Sequence, residues 1–260
     1  MKTRVISGIL MVPLLAILYF GGIPLTIAAG VVAFIGVREF FDGFNALGVK
    51  PSRKIACGMA VILYLGHILL GFSPMFLLGW LTLSIMMSLV YGWDISNRGP
   101  YDAIATLTGL VYIVFFPYHI VLLDETKYSI LVWMVVIAAF GSDIAAYFTG
   151  IAFGKHKMTP NLSPKKTIEG AIGGVLGSTV LAGVFAHFFL PEFLYECLLL
   201  GLFGGIVSEA GDLTASAFKR KMGIKDYGHL IPGHGGIMDR FDSVIFVAPF
   251  IYYFVQFILP

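Results

Sequence analysis

Polar sequence is what this chain has least of. Only 12% of its 260 residues are charged, and 58% are hydrophobic. Soluble chains run near a quarter charged. The longest polar stretch is about 25 residues, shorter than even marginal independent domains. That excludes a separate soluble domain, so any active site must be assembled from helix ends and loops. Cysteine is scarce too. Cys57 and Cys197 lie far apart in apolar runs, which excludes a disulfide framework and metal-ligand spacing. There is no long internal repeat and no low-complexity tract. Gly154-Lys155-His156 lacks the spacing and the Ser/Thr of a phosphate-binding P-loop. The aromatics are spread over every apolar run and read as lipid-facing and interfacial anchors, not as a nucleic-acid stacking platform.

What the chain has is apolar length. Runs of about 20 residues span a bilayer as helices. Nine are read, near 4–21, 23–41, 55–72, 75–92, 103–122, 128–152, 168–190, 194–215 and 241–259. The first follows Lys2 and Arg4 but has no clear cleavage site after it, so it is read as a retained helix. The expected fold is an all-α polytopic membrane bundle. Residues 1–260 form a single membrane domain, with 1–130 of unassigned role and 131–260 carrying the chemistry. With the N-terminus in the cytoplasm, 16 of the 17 Lys and Arg residues fall on the inner side and only Lys127 outside. By the positive-inside rule this orients the protein and places the C-terminus outside. Glycine pairs at four-residue spacing, such as Gly170/Gly174 and Gly201/Gly205, suit close helix packing.

Acids inside apolar runs are the sharpest chemical signal, because a central membrane charge costs about 2.5–3.5 kcal/mol on insertion scales. Asp143, Glu209 and Asp212 are of this kind. Asp212, Ser216 and Lys219 share one helical face, and Asp239 and Asp242 share another. The alternative is that these acids pair with nearby Lys or Arg and only hold helices together, which is the reading preferred for Glu209. A second polar cluster, 154–170, contains Ser163-Pro-Lys165-Lys166-Thr167. It reads either as a phosphate clamp or as a basic flank for anionic lipid. His67, His119 and His187 read as packing or interfacial residues.

The longest run that a bilayer would reject is 216–242, SAFKRKMGIKDYGHLIPGHGGIMDRFD. Its glycines permit close backbone approach, its cations suit phosphate, and its paired acids suit a hard divalent metal. Ser216, Lys219, Arg220, Lys225, Asp226, Pro232, His234, Gly235, Gly236, Asp239, Arg240 and Asp242 match the signature of phosphatidate cytidylyltransferase, or CDP-diacylglycerol synthase. Asp143 through Gly170 is similar to a second stretch of that family. The resemblance covers about residues 140–250.

The resemblance implies transfer of a cytidylyl group from CTP to phosphatidic acid, with Mg²⁺ and room for a second cation. Asp212 and Asp239 would be the leading metal ligands, with Asp143 and Asp242 as further ligands or supports. Lys219, Arg220, Lys225 and Arg240 would hold the nucleotide phosphates, and His234 would donate to phosphate or act as acid/base. Ser163, Lys165, Lys166, Thr167, Ser216, Gly235 and Gly236 would line the substrates. The implied setting is the inner (plasma) membrane with the site facing the cytoplasm. The partners are CTP, phosphatidic acid and the bilayer, without nucleic acid; a homodimer stays open. Two rivals remain: another CTP-using lipid enzyme, such as a polyprenol kinase, and an ion-coupled transporter that buries the same acids.

Overall fold

The computed structural model describes residue 13 and residues 15–230 and 235–259. Among these, eight helices are long and apolar enough to cross a membrane: α1 Gly22–Leu47, α2 Arg53–Leu70, α3 Pro74–Tyr91, α4 Pro100–Asp124, α5 Ser129–Phe153, α6 Ile168–Phe189, α7 Pro191–Lys221 and α8 Met238–Ile258. Each falls on an expected span. The first expected span, 4–21, lies mostly outside the described residues; residues 15–20 of it are helical. The protein is an all-α multi-pass membrane protein. The described residues also form a short antiparallel hairpin, β1 Lys157–Thr159 and β2 Ser163–Thr167, in a region that reads from the sequence as loop.

Helix starts follow local chemistry. The Ser52 hydroxyl accepts from Ile55 N at 3.3 Å at the head of α2, and Thr167 Oγ1 accepts from Gly170 N at 3.1 Å at the head of α6. Such caps satisfy an orphan amide and contribute about 1 kcal/mol each. α4 and α5 each contain a π-helical stretch, Leu110–Phe115 and Ile137–Gly141. A π-stretch widens the turn and re-aims the residues after it.

The described chain divides into two compact units. One holds the residues up to Leu122 and Lys221–Arg240. Its core is the buried Phe40, Phe41, Leu63, Ile113 and Tyr118. Several polar groups within it are paired: Tyr64 OH donates to the Val114 carbonyl (3.2 Å), Trp80 Nε1 to the Met59 carbonyl (2.7 Å), and His67 Nδ1 lies 2.7 Å from Tyr118 OH. His119 Nδ1 lies 2.9 Å from the Phe115 carbonyl. These contacts fit a packing role for both histidines.

The other unit holds Leu123–Arg220 and the chain from Phe241 onward. It packs through small residues, as membrane helices must when lipid supplies no hydrophobic drive between them. A methyl added at Gly174 would stand 3.0 Å from the Ser142 carbonyl oxygen, and one at Gly170 3.0 Å from that of Ala146. α7 meets α6 at Gly201, where a methyl would come within 2.8 Å of the Ser178 carbonyl oxygen. Ser178 Oγ donates back to the Gly201 carbonyl at 2.9 Å. Ile144, Phe148, Ile151, Val180 and Phe188 stay exposed, as a lipid-facing surface requires.

Candidate active site

In the second unit, the π-stretch of α5 ends at Gly141, and Asp143 follows two residues later. Asp143, Tyr147 and Gly150 line a cavity of about 410 Å³ with Lys165, Lys166 and Thr167 of β2, Gly170 of α6, and Glu209 and Asp212 of α7. The hairpin delivers its lysines because of its register. Lys157 pairs with Thr167 and Thr159 with Ser163, so β2 runs directly into the capped start of α6. Glu169, in the first turn of α6, secures the approach. Its carboxylate accepts from the amides of Lys155 (3.1 Å) and His156 (3.2 Å) and lies 2.6 Å from His156 Nδ1.

Lys166 reaches across to α7. Its Nζ lies 2.6 Å from Glu209 Oε2 and 2.6 Å from Asp212 Oδ2. Burial alone would pull the Lys166 pKa down, but the charges of Asp212 and Glu209 outweigh it, and the net direction is up. The ammonium therefore persists at neutral pH. Ser216, one turn on, places its hydroxyl 3.4 Å from Asp212 Oδ1. Arg220 Nε donates to the Leu162 carbonyl at 3.2 Å, tying the end of α7 to the hairpin tip. α8 comes close at Gly211, where a methyl would stand 2.9 Å from the Asp242 carbonyl oxygen. This juxtaposition brings Asp242 within electrostatic reach of Asp212, Lys219 and Asp143. Asp242 is buried, and its Oδ1 accepts from Ser243 N at 2.9 Å.

Asp143, Lys165, Lys166, Thr167 and Asp212 thus meet at one cavity, and Ser216, Lys219 and Asp242 adjoin members of that group. Ser163 begins β2. Among the described residues, no group of three or more His, Cys, Asp or Glu side chains is disposed to hold a metal by itself. The donors still suit Mg²⁺, a hard ion that usually takes one or two protein carboxylates and completes its shell with phosphate and water. Asp143 and Asp212, facing the same cavity, are a set of that kind.

The remaining expected residues belong to the first unit, apart from His234, which lies outside the described residues. Lys225 is exposed. Asp239 is buried, and its Oδ2 accepts from Tyr227 N (2.8 Å) and Gly236 N (3.0 Å). Arg240 Nε is buried and has no hydrogen-bond partner among the described residues. Gly235 has φ +86°, a conformation that favours glycine. A methyl on Gly235 would stand 2.8 Å from Asp239 Oδ2, and one on Gly236 2.6 Å from Glu39 Oε1. These two glycines therefore make room for carboxylates of the protein itself.

Glu209 pairs with Lys166, as expected of it, and also lines the cavity. Glu39 is a further residue of this architecture, outside the expected site. It carries the signal that singled out Asp143: an acid in an apolar run.

A model described as the cytidylyltransferase family matches residues 2–258. The chain is 33% identical to a phosphatidate cytidylyltransferase of Synechocystis over 99% of its own length and 97% of that protein. It is 32% identical to a phosphatidate cytidylyltransferase of Bacillus subtilis, over 97% of each chain. For one of Staphylococcus aureus the identity is 34%, over 96% of each. These matches extend the resemblance over the first 130 residues as well.

Proposed function

Because the chain belongs to the cytidylyltransferase family, we propose that it transfers a cytidylyl group from CTP to phosphatidic acid. It is a membrane-embedded nucleotidyltransferase. In the proposed reaction an oxygen of the phosphatidate phosphate bonds to the α-phosphorus of CTP. The bond from that phosphorus to the β-phosphate oxygen breaks, pyrophosphate leaves, and CDP-diacylglycerol stays in the membrane. The nucleophile is already an anion at neutral pH, so no strong base is required. The obstacle is repulsion between two anions.

The observation that carries this reading is the cavity where carboxylates and lysines converge inside an otherwise apolar unit. Asp143 and Asp212, supported by Asp242, would hold Mg²⁺. The bound ion would supply charge neutralisation and Lewis-acid polarisation at the phosphoryl oxygens. Lys165, exposed at the cavity, and Lys219 offer fixed positive charge to phosphate, each such contact being worth about 1.5–3 kcal/mol. Lys166 and Ser216 hold the Asp212 carboxylate in one orientation, as partners behind a metal ligand do. The excess of Lys and Arg in one set of loops supports a cytoplasmic location for the site.

The test incubates purified protein with phosphatidic acid, Mg²⁺ and α-labelled CTP. The label should enter the lipid phase and pyrophosphate should form. Release of CDP instead would mark a kinase.

A further inference from the structure

Glu39 sits near the end of α1, buried, 198 residues from its partner Ile237. Its Oε1 accepts from Ile237 N at 3.1 Å and its Oε2 from Met238 N at 2.9 Å. These are amides at the start of α8, which have no backbone partner within that helix. A carboxylate there also complements the positive end of the helix dipole. The fit is close on every side. A methyl at Gly228 would come within 2.6 Å of Glu39 Oε1, as would one at Gly236. Phe40, the next residue, packs its ring 5.9 Å from that of Tyr227. Tyr227 in turn donates its amide to Asp239, the second residue of α8. Two carboxylates thus divide the amides of one segment: Glu39 takes 237 and 238, and Asp239 takes 227 and 236.

We infer that Glu39 is a positioning residue for Asp239 and Arg240. It touches no substrate in this role. It fixes where α8 begins and how its first turn is rotated, and so where the Asp239 and Arg240 side chains stand. The inference rests on the proposed cytidylyl transfer and on the part in it that the family signature implies for Asp239 and Arg240. An apolar residue at position 39 would be cheaper in a membrane helix. The carboxylate is explained by the two amides it receives.

Glu39→Gln tests this. The amide keeps one acceptor oxygen but turns an NH₂ toward the other backbone N–H, so one charge-assisted bond becomes a clash of donors. Purified full-length Glu39→Gln and Glu39→Asp variants are compared with wild type for kcat, KM for CTP, thermal stability and hydrogen exchange of the peptide covering 235–242. Losing a charge-assisted bond corresponds to roughly tenfold or more. Glu39→Gln should therefore lower kcat at least about tenfold and raise exchange in that peptide, with KM for CTP within about twofold. Glu39→Asp, still an acceptor on both oxygens, should recover part of both readouts. Wild-type kcat in Glu39→Gln, or unchanged exchange in 235–242, would overturn the positioning role. So would loss of activity that only tracks loss of folded protein. A wild-type protein with no cytidylyl transfer would instead sink the functional reading, and the exchange comparison would still report on the anchor.

Discussion

Lys166 Nζ stands 2.6 Å from Asp212 Oδ2, so a strand of the hairpin and a membrane helix meet through opposite charges at the wall of the cavity. The same ammonium also pairs with Glu209. Replacing Lys166 with Met leaves two carboxylates without their cation. Breaking a buried pair costs about 3–5 kcal/mol; because Asp212 is a quarter exposed, about 2 kcal/mol is expected, read as a lower thermal midpoint in detergent.

The pH dependence of that pairing has a definite sign. The folded-state pKa of Lys166 is raised above its ordinary value of 10.5. Its stabilisation is therefore complete below that ordinary value and lost as pH rises through the higher folded value. The stability gap between wild type and Lys166→Met should stay flat between about pH 7 and 10 and narrow above about 10.5. A gap that widens in alkali would contradict the assignment.

Asp212→Asn should separate structure from chemistry. Lys166 keeps Glu209 as a partner, so the variant should lose no more than about 1 kcal/mol of stability. Its turnover should fall at least about a hundredfold, since the proposed metal ligand loses its charge. Glu209→Gln should retain more activity. Kinetics and thermal stability measured on the same preparations decide the matter: near-wild-type turnover by Asp212→Asn at saturating Mg²⁺ removes Asp212 from the metal site.

Gly211 sets how closely α8 approaches α7. Gly211→Ala would press a methyl to 2.9 Å from the Asp242 carbonyl oxygen and should cost about 1–3 kcal/mol by overpacking. Gly58, in α2, has nothing within 4 Å of an added methyl, so Gly58→Ala should be neutral or slightly stabilising. Equal effects of the two substitutions would refute the close approach.

The eight described spans were legible because apolar length is a local property, and each helix lies within a few residues of its expected run. Asp143 and Asp212 were legible because acids are costly in apolar helices. Other features depend on distant partners. The β1–β2 hairpin is fixed by register across a turn, within a stretch whose Lys and Pro content does not read as strand. Glu39 meets amides 198 residues away, a relation no window of sequence contains. Cys197 is buried, so a thiol reagent cannot use it to report on topology.

Exposed positions can report on topology instead. In a Cys57→Ser background, Lys127→Cys should react with an impermeant thiol reagent applied to intact cells, and Lys157→Cys only after permeabilisation. Both positions are exposed. The reverse pattern would invert the orientation that the Lys and Arg distribution supports.

The proposed function requires that a nucleotide be joined to a lipid phosphate. The most direct measurement supplies purified protein with Mg²⁺, phosphatidic acid and CTP labelled in its α-phosphate, and follows the label into organic solvent. Labelled CDP-diacylglycerol and an equal amount of pyrophosphate should form, both lost in Asp212→Asn. Label that stays in the aqueous phase while wild-type protein is folded and saturated with both substrates would contradict it.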